Sequence, residues 1–139
     1  MRLKEKAMLN GLDYFLISAE NYRMEKGENE YRTRKLEQRL MDSGLKFKKA
    51  IGKYKGETEQ CFIVEWRTGY YTKFIFDLAR EFEQRAVISV VGSFGTLFEG
   101  DHLLPVKTGK INLISKEKAL QVEGYTLVND QYFYIEWSA

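Results

Sequence analysis

The spacing of apolar positions changes period several times along the chain, and each change predicts an element. Residues 12–19 (Leu-Asp-Tyr-Phe-Leu-Ile-Ser-Ala) are dense in β-formers and apolar on both faces, the pattern of a central strand covered on two sides. Residues 1–10 are mixed and charged, and predict a short helix or loose arm. A polar loop, residues 18–23, leaves the strand, and residues 25–29 continue it. From residue 30 to 42 the period becomes helical: Thr33, Leu36, Leu40 and Met41 form one stripe, with Arg32, Arg34, Lys35, Glu37 and Arg39 mostly outside it. Ser43-Gly44 stops that helix, glycine being the usual left-handed terminator. Residues 45–54 alternate as a strand whose exposed side is partly basic. The turn Lys55-Gly56-Glu57-Thr58 leads to a third strand, 60–67, which Thr68-Gly69 breaks. A second helix puts Tyr71, Phe74 or Ile75, Leu78 and Phe82 on one face, and residues 86–91 form a short apolar strand buried on both faces.

The order β-α-β-β-α-β with short connections predicts an α+β ferredoxin-like core over 12–91, an antiparallel four-stranded sheet with both helices on one face. After Val91 glycines punctuate short β-like pieces at 96–98, 110–115, 119–122 and 132–137. These predict a C-terminal β-hairpin extension, 92–139, that lengthens the sheet or reaches a neighbouring subunit. A single domain over 1–139 is expected.

Composition narrows the chemistry. Net charge is +2, from 22 basic and 20 acidic residues, too balanced to imply nucleic acid or a membrane surface. No apolar run approaches the roughly 18 residues of a membrane span, so the expectation is a soluble chain. One cysteine, Cys61, excludes an internal disulfide and fits a reducing cytoplasm. With His102 the lone histidine, neither a His/Cys metal site nor a nucleophilic triad is easily built, and no Walker, dinucleotide or zinc motif occurs. Cys61 reads as a small core side chain, His102 as a loop residue, and the 92–95 turn as a plain hairpin.

Carboxylates are left. Alternation puts Glu57, Glu59, Cys61, Ile63 and Glu65 on one side of the third strand. Glu83-Gln84 ends a helix, where the dipole disfavours an acid, a local rule broken as functional residues often break it. The bland alternatives are a solvated strand edge and an ion pair from Glu83 to Arg80 or Arg85.

Four pieces together resemble the phage S-adenosylmethionine lyase family, long called SAM hydrolase or SAMase. They are Tyr14-Phe-Leu-Ile-Ser-Ala19 with Arg23; Asn29-Glu-Tyr-Arg-Thr-Arg-Lys-Leu36 leading to Leu40 and Gly44; Gly52-Lys-Tyr-Lys-Gly56 before the Glu59 strand; and Ala79-Arg-Glu-Phe-Glu83-Gln84. The resemblance covers roughly residues 12–91, and order and spacing carry it. It implies an enzyme without a metal or other cofactor, in which the substrate's own carboxylate displaces 5′-methylthioadenosine and closes to homoserine lactone. Glu59 and Gln84 are the residues it points to for catalysis, with Glu57 the alternative acid. Tyr54, Ser18, Phe15 and Glu83 are implied near the substrate, the aromatics flanking adenine or sulfonium. A homo-oligomer, a trimer with sites between subunits, and a phage role against host restriction-modification are implied too.

Three other readings compete. In one, Glu59 activates water and homoserine is released directly. In another, the lysine-rich strand at 46–55 binds RNA, although alternating lysines usually form a solvated or guarded edge. In the third, the chain blocks a host defence protein by binding alone.

Overall fold

Two separate cores meet on one short strand. Strand β1, Tyr14–Ile17, is buried at all four positions, Phe15 and Ile17 toward one cluster and Tyr14 and Leu16 toward the other. In the computed structural model, which describes residues 13–20, 24–54, 56–65, 69–84 and 86–138, the second cluster fills the inside of a closed barrel of eight antiparallel strands. The elements after β1 are α1 Lys26–Ser43, β2 Phe47–Tyr54, β3 Glu57–Glu65, α2 Gly69–Glu81, β4 Ala86–Val91, β5 Phe94–Glu99, β6 Leu104–Ile114, α3 Lys116–Ala119, β7 Tyr125–Val128 and β8 Gln131–Trp137.

The ferredoxin-like expectation is overturned by this closure. Both edges of the sheet segment β4-β1-β3-β2 are occupied: β7 pairs with β2, β5 pairs with β4, and β6 and β8 complete the ring. The C-terminal part is half of the barrel wall, which removes open edges that would otherwise need protection. The inside is packed by Ala50, Cys61, Ile63, Val90, Ile111, Val128, Phe133 and Ile135 along with Tyr14 and Leu16.

Outside the barrel, α1 and α2 cover β1, β3 and β4. Leu36 and Leu40 from α1, and Ile75, Leu78 and Ala79 from α2, pack with Phe15, Ile17, Phe62, Val64 and Val87. Met41, expected in the α1 stripe, is exposed. Helix α1 begins at Lys26, earlier than the predicted residue 30, because Gly27, Glu28 and Asn29 enter the helix without a side-chain cap at Glu25. The piece 119–122 is the end of α3 and a turn. Ser115 caps that helix by accepting from the Lys118 N–H, and the missing strand is β7.

Closure is tightest at one glycine. Gly109 on β6 faces Gly95 on β5 and Trp137 on β8. A Cβ at Gly109 would overlap the Glu136 carbonyl and the backbone of Trp137. Gly109→Ala is therefore expected to lower the free energy of unfolding by about 1–3 kcal/mol. Urea denaturation measures it, and an unchanged midpoint would mean that the β6–β8 seam tolerates the added carbon.

Candidate active site

The barrel rim near the β1 exit gathers four acids. Strand β3 starts at Glu57, inside the expected turn and ahead of the expected start at residue 60, so both Glu57 and Glu59 stand on the strand. Glu59 has the parity of Cys61 and Ile63, which pack inside the barrel, and it is the next residue on that row beyond the filled interior. A cavity of about 390 Å³ opens there, lined by Glu20, Lys26, Asn29, Glu30, Thr33 and the start of β3 from Glu57 to Gln60. That volume lies within the range of small-molecule sites. Four carboxylates (Glu20, Glu30, Glu57, Glu59) face one ammonium, Lys26, so the lining favours a cation.

Glu59 is held away from water. Burial, reinforced by the neighbouring Glu20 carboxylate, pushes its carboxyl up to about 7, while a hydrogen bond from Ser18 works in the opposite direction. The Ser18 hydroxyl lies 2.8 Å from the Gln60 carbonyl as well, and its one proton serves one acceptor at a time. The Cys61 thiol is pushed up to about 12, by burial first and then by Glu59 and Glu20, so it stays protonated and inert.

Other sequence-predicted residues stand behind or away from the lining. Gln84 reaches it indirectly, its Nε2 donating to the Glu20 carbonyl at 2.8 Å. Glu83 sits at the α2 exit with φ 57°, exposed, and among the described residues its partner is Arg32 at 3.4 Å, while Arg80 pairs with Asp77. Arg32 itself donates to the Ala19 carbonyl at 2.8 Å and to the Phe82 carbonyl, fastening the β1 exit to the end of α2. Phe15 lies in the helix-side core, edge-on to Phe76, outside the cavity lining. The side chain of Tyr54 falls outside the described residues, as do Arg23 and Arg85.

In the sequence, Glu20 and Lys26 read as loop, and Asn29 and Glu30 as the start of the helix motif, with no role at the site. The missed signal is register. Each β1–β3 pair sums to 79 (14 with 65, 17 with 62), and 20 with 59 gives the same sum. The ladder itself ends at Ile17 and Phe62, and the chain runs on past it until the Glu20 carboxylate accepts from the Gln60 N–H, beside Glu59.

Residues 15–136 match the S-Adenosylmethionine lyase family, which covers most of the chain. The chain belongs to the S-adenosylmethionine lyase family. The match runs from β1 through both long helices and into β8, so it includes most of the C-terminal segment, 92–139, that the sequence resemblance left out. No curated protein matches the chain. The family's name gives S-adenosylmethionine as the small-molecule substrate and lyase as the reaction class. Among the described residues no helix is long and apolar enough to cross a membrane, and no group of three His, Cys, Asp or Glu is placed to hold a metal.

The raised Glu59 value sets a sign for stability. The folded chain binds this proton more tightly than the unfolded chain does. The contribution is fully present below about 4.5 and is lost as pH rises through about 7. Glu59→Gln removes the charge, so the variant should gain on the parent by about 2 kcal/mol between pH 4.5 and pH 8. Urea denaturation at the two pH values measures this, and parallel curves would mean that the carboxylate is well solvated.

Proposed function

We propose that the chain cleaves S-adenosylmethionine to 5′-methylthioadenosine and homoserine lactone by attack of the substrate's own carboxylate. The observation that carries the reading is the Glu59 carboxylate, shielded from water at the rim of an acidic cavity, within the segment that matches the family. In the step, a carboxylate oxygen bonds to the methylene carbon γ to it and the carbon–sulfur bond breaks. The electron pair stays on sulfur, which becomes a neutral thioether. No proton is transferred, so the protein need only bend the methionyl chain and limit water. Correct folding of a chain into attack geometry is worth several kcal/mol, on the order of 7–11 in favourable intramolecular systems.

Glu59 supplies grip. Its carboxylate pairs with the substrate ammonium, and a bound cation draws the Glu59 value back down, releasing a proton near neutral pH. The sulfonium and the attacking carboxylate cancel each other's charge as the bond forms, so a site with little water favours the transition state. Gln84 supports this from behind, through the Glu20 carbonyl. Lys26 stands on the opposite wall as the cavity's cation.

The chain is further proposed to assemble as a homotrimer in the host cytoplasm, where a phage would use it to deplete the methyl donor of restriction-modification. Exposed apolar side chains on the β5–β6 hairpin, Phe94, Leu104 and Val106, give a second copy something to cover. Light scattering on the purified chain is expected to return three times the monomer mass.

Incubation with S-adenosylmethionine should yield methylthioadenosine together with lactone at early times, and homoserine only later. Glu59→Gln should lower kcat/KM by about 100-fold or more, as loss of a charged anchor in a shielded site does. Homoserine appearing first would favour water activation by Glu59, and full activity of the variant would remove Glu59 from the mechanism.

A further inference from the structure

Resting on the lyase reading above, we infer that Glu20 is a substrate-binding residue, the second of two carboxylates that together hold the substrate ammonium. Sheet physics makes its position unusual. Like charges side by side are destabilising, yet Glu20, three residues past the end of the β1–β3 register, stands beside Glu59, its carboxylate accepting from the N–H of Gln60, the next residue. The pair occurs where that register leaves the packed barrel and enters the cavity, and both acids line it.

Glu20 is also fixed at each of its polar groups. Its N–H donates to Ser18 Oγ at 3.1 Å, its carbonyl accepts from Gln84 Nε2 at 2.8 Å, and its carboxylate accepts from the Gln60 N–H. A surface glutamate in a loop has no need of such restraint. Fixing two carboxylates beside each other before the ligand arrives is how a site prepares for a cation with several N–H donors. An α-ammonium has three.

The choice of ammonium over sulfonium follows from the reaction. The sulfonium loses its charge in the transition state, so a carboxylate against it would hold the ground state more tightly and slow the step. The ammonium keeps its charge throughout. A grip on it strengthens substrate and transition state alike, which shows in KM more than in kcat.

Other groups around Glu59 come from each packed element. They are Ser18 just past β1, Glu57 and Cys61 from β3, and Lys26 and Glu30 from α1; on β2, Gly52 is the residue paired with Glu59. Glu20 is the carboxylate that acts on Glu59 most directly.

Glu20→Gln tests the inference, since the amide oxygen can still accept from the Gln60 N–H while the charge is gone. The expected result has three parts: KM for S-adenosylmethionine rises about 10-fold with kcat within about threefold. Inhibition by 5′-methylthioadenosine, which has no ammonium, stays within about twofold. The acid limb of kcat/KM moves to lower pH by about half a unit or more, because Glu59 has lost a like charge. An unchanged KM, an unmoved acid limb, or equal weakening of both ligands would overturn the inference, the last marking a merely structural role. If the parent chain neither binds nor cleaves S-adenosylmethionine, the lyase reading fails and this inference with it. If the parent is active and the variant matches it, only the role of Glu20 is lost.

Discussion

Everything at the rim depends on β1 being buried from two sides. Its four side chains divide between the barrel interior and the helix-covered exterior, so the strand can neither rotate nor slide without exposing one set. A slip of one residue would put Tyr14 and Leu16 among the helices and Phe15 and Ile17 inside the barrel. That fixed strand sets where Ser18, Ala19 and Glu20 leave the sheet. Three tethers then hold the exit: Ser18 to Gln60, Arg32 to the Ala19 carbonyl, and Gln84 to the Glu20 carbonyl. The acidic cavity is thus a consequence of core packing, carried to the surface by hydrogen bonds from α1, α2 and β3.

Much of this was legible locally. Two-sided burial of β1 follows from the unbroken apolar run, and so do the faces of both long helices from their period, Met41 excepted and with the Tyr71 side chain outside the described residues. The closed barrel was not legible, because closure is a fact about distant partners. Strand β2 meets β7 some seventy positions later, Ile51 against Leu127, and nothing in either segment names the other. Strand β6 was partly hidden as well: Pro105 and Gly109 lie inside it and read as breaks. Proline is accepted there opposite Phe98, where the β5–β6 register shifts, and glycine is required where β8 comes close.

The candidate site shows the same division. Glu59 was readable from alternation beside a turn. Glu83 attracted notice as an acid at a helix C-terminus, and its position is unusual, with left-handed backbone at a non-glycine residue. What stabilises it is Arg32, brought from α1 by tertiary packing, which also caps the Phe82 carbonyl. The anomaly in sequence therefore marked a corner that holds α2 against the β1 exit, and Gln84, the next residue, turns that corner into a support for Glu20. Glu20 itself carries no local signal. Its meaning comes only from standing beside Glu59 in the folded chain, bonded to the Gln60 N–H.

Charge and dryness pull against each other in such a cavity. A carboxylate kept from water is costly while the site is empty, and the upward displacement of Glu59 records that cost. A fully solvated pair of acids would remove it, but would also admit the water that stabilises sulfonium and carboxylate apart and opposes their mutual cancellation. A wholly apolar pocket would favour the cancellation yet give the ammonium nothing to hold. On the proposed reading, two acids at the mouth, with the packed barrel below them, divide the tasks: they would grip the permanent cation and leave the pair of charges that vanishes during reaction away from them. On that division, chemistry needs no reactive side chain, and a protein with one histidine and one inert buried cysteine loses nothing by lacking them.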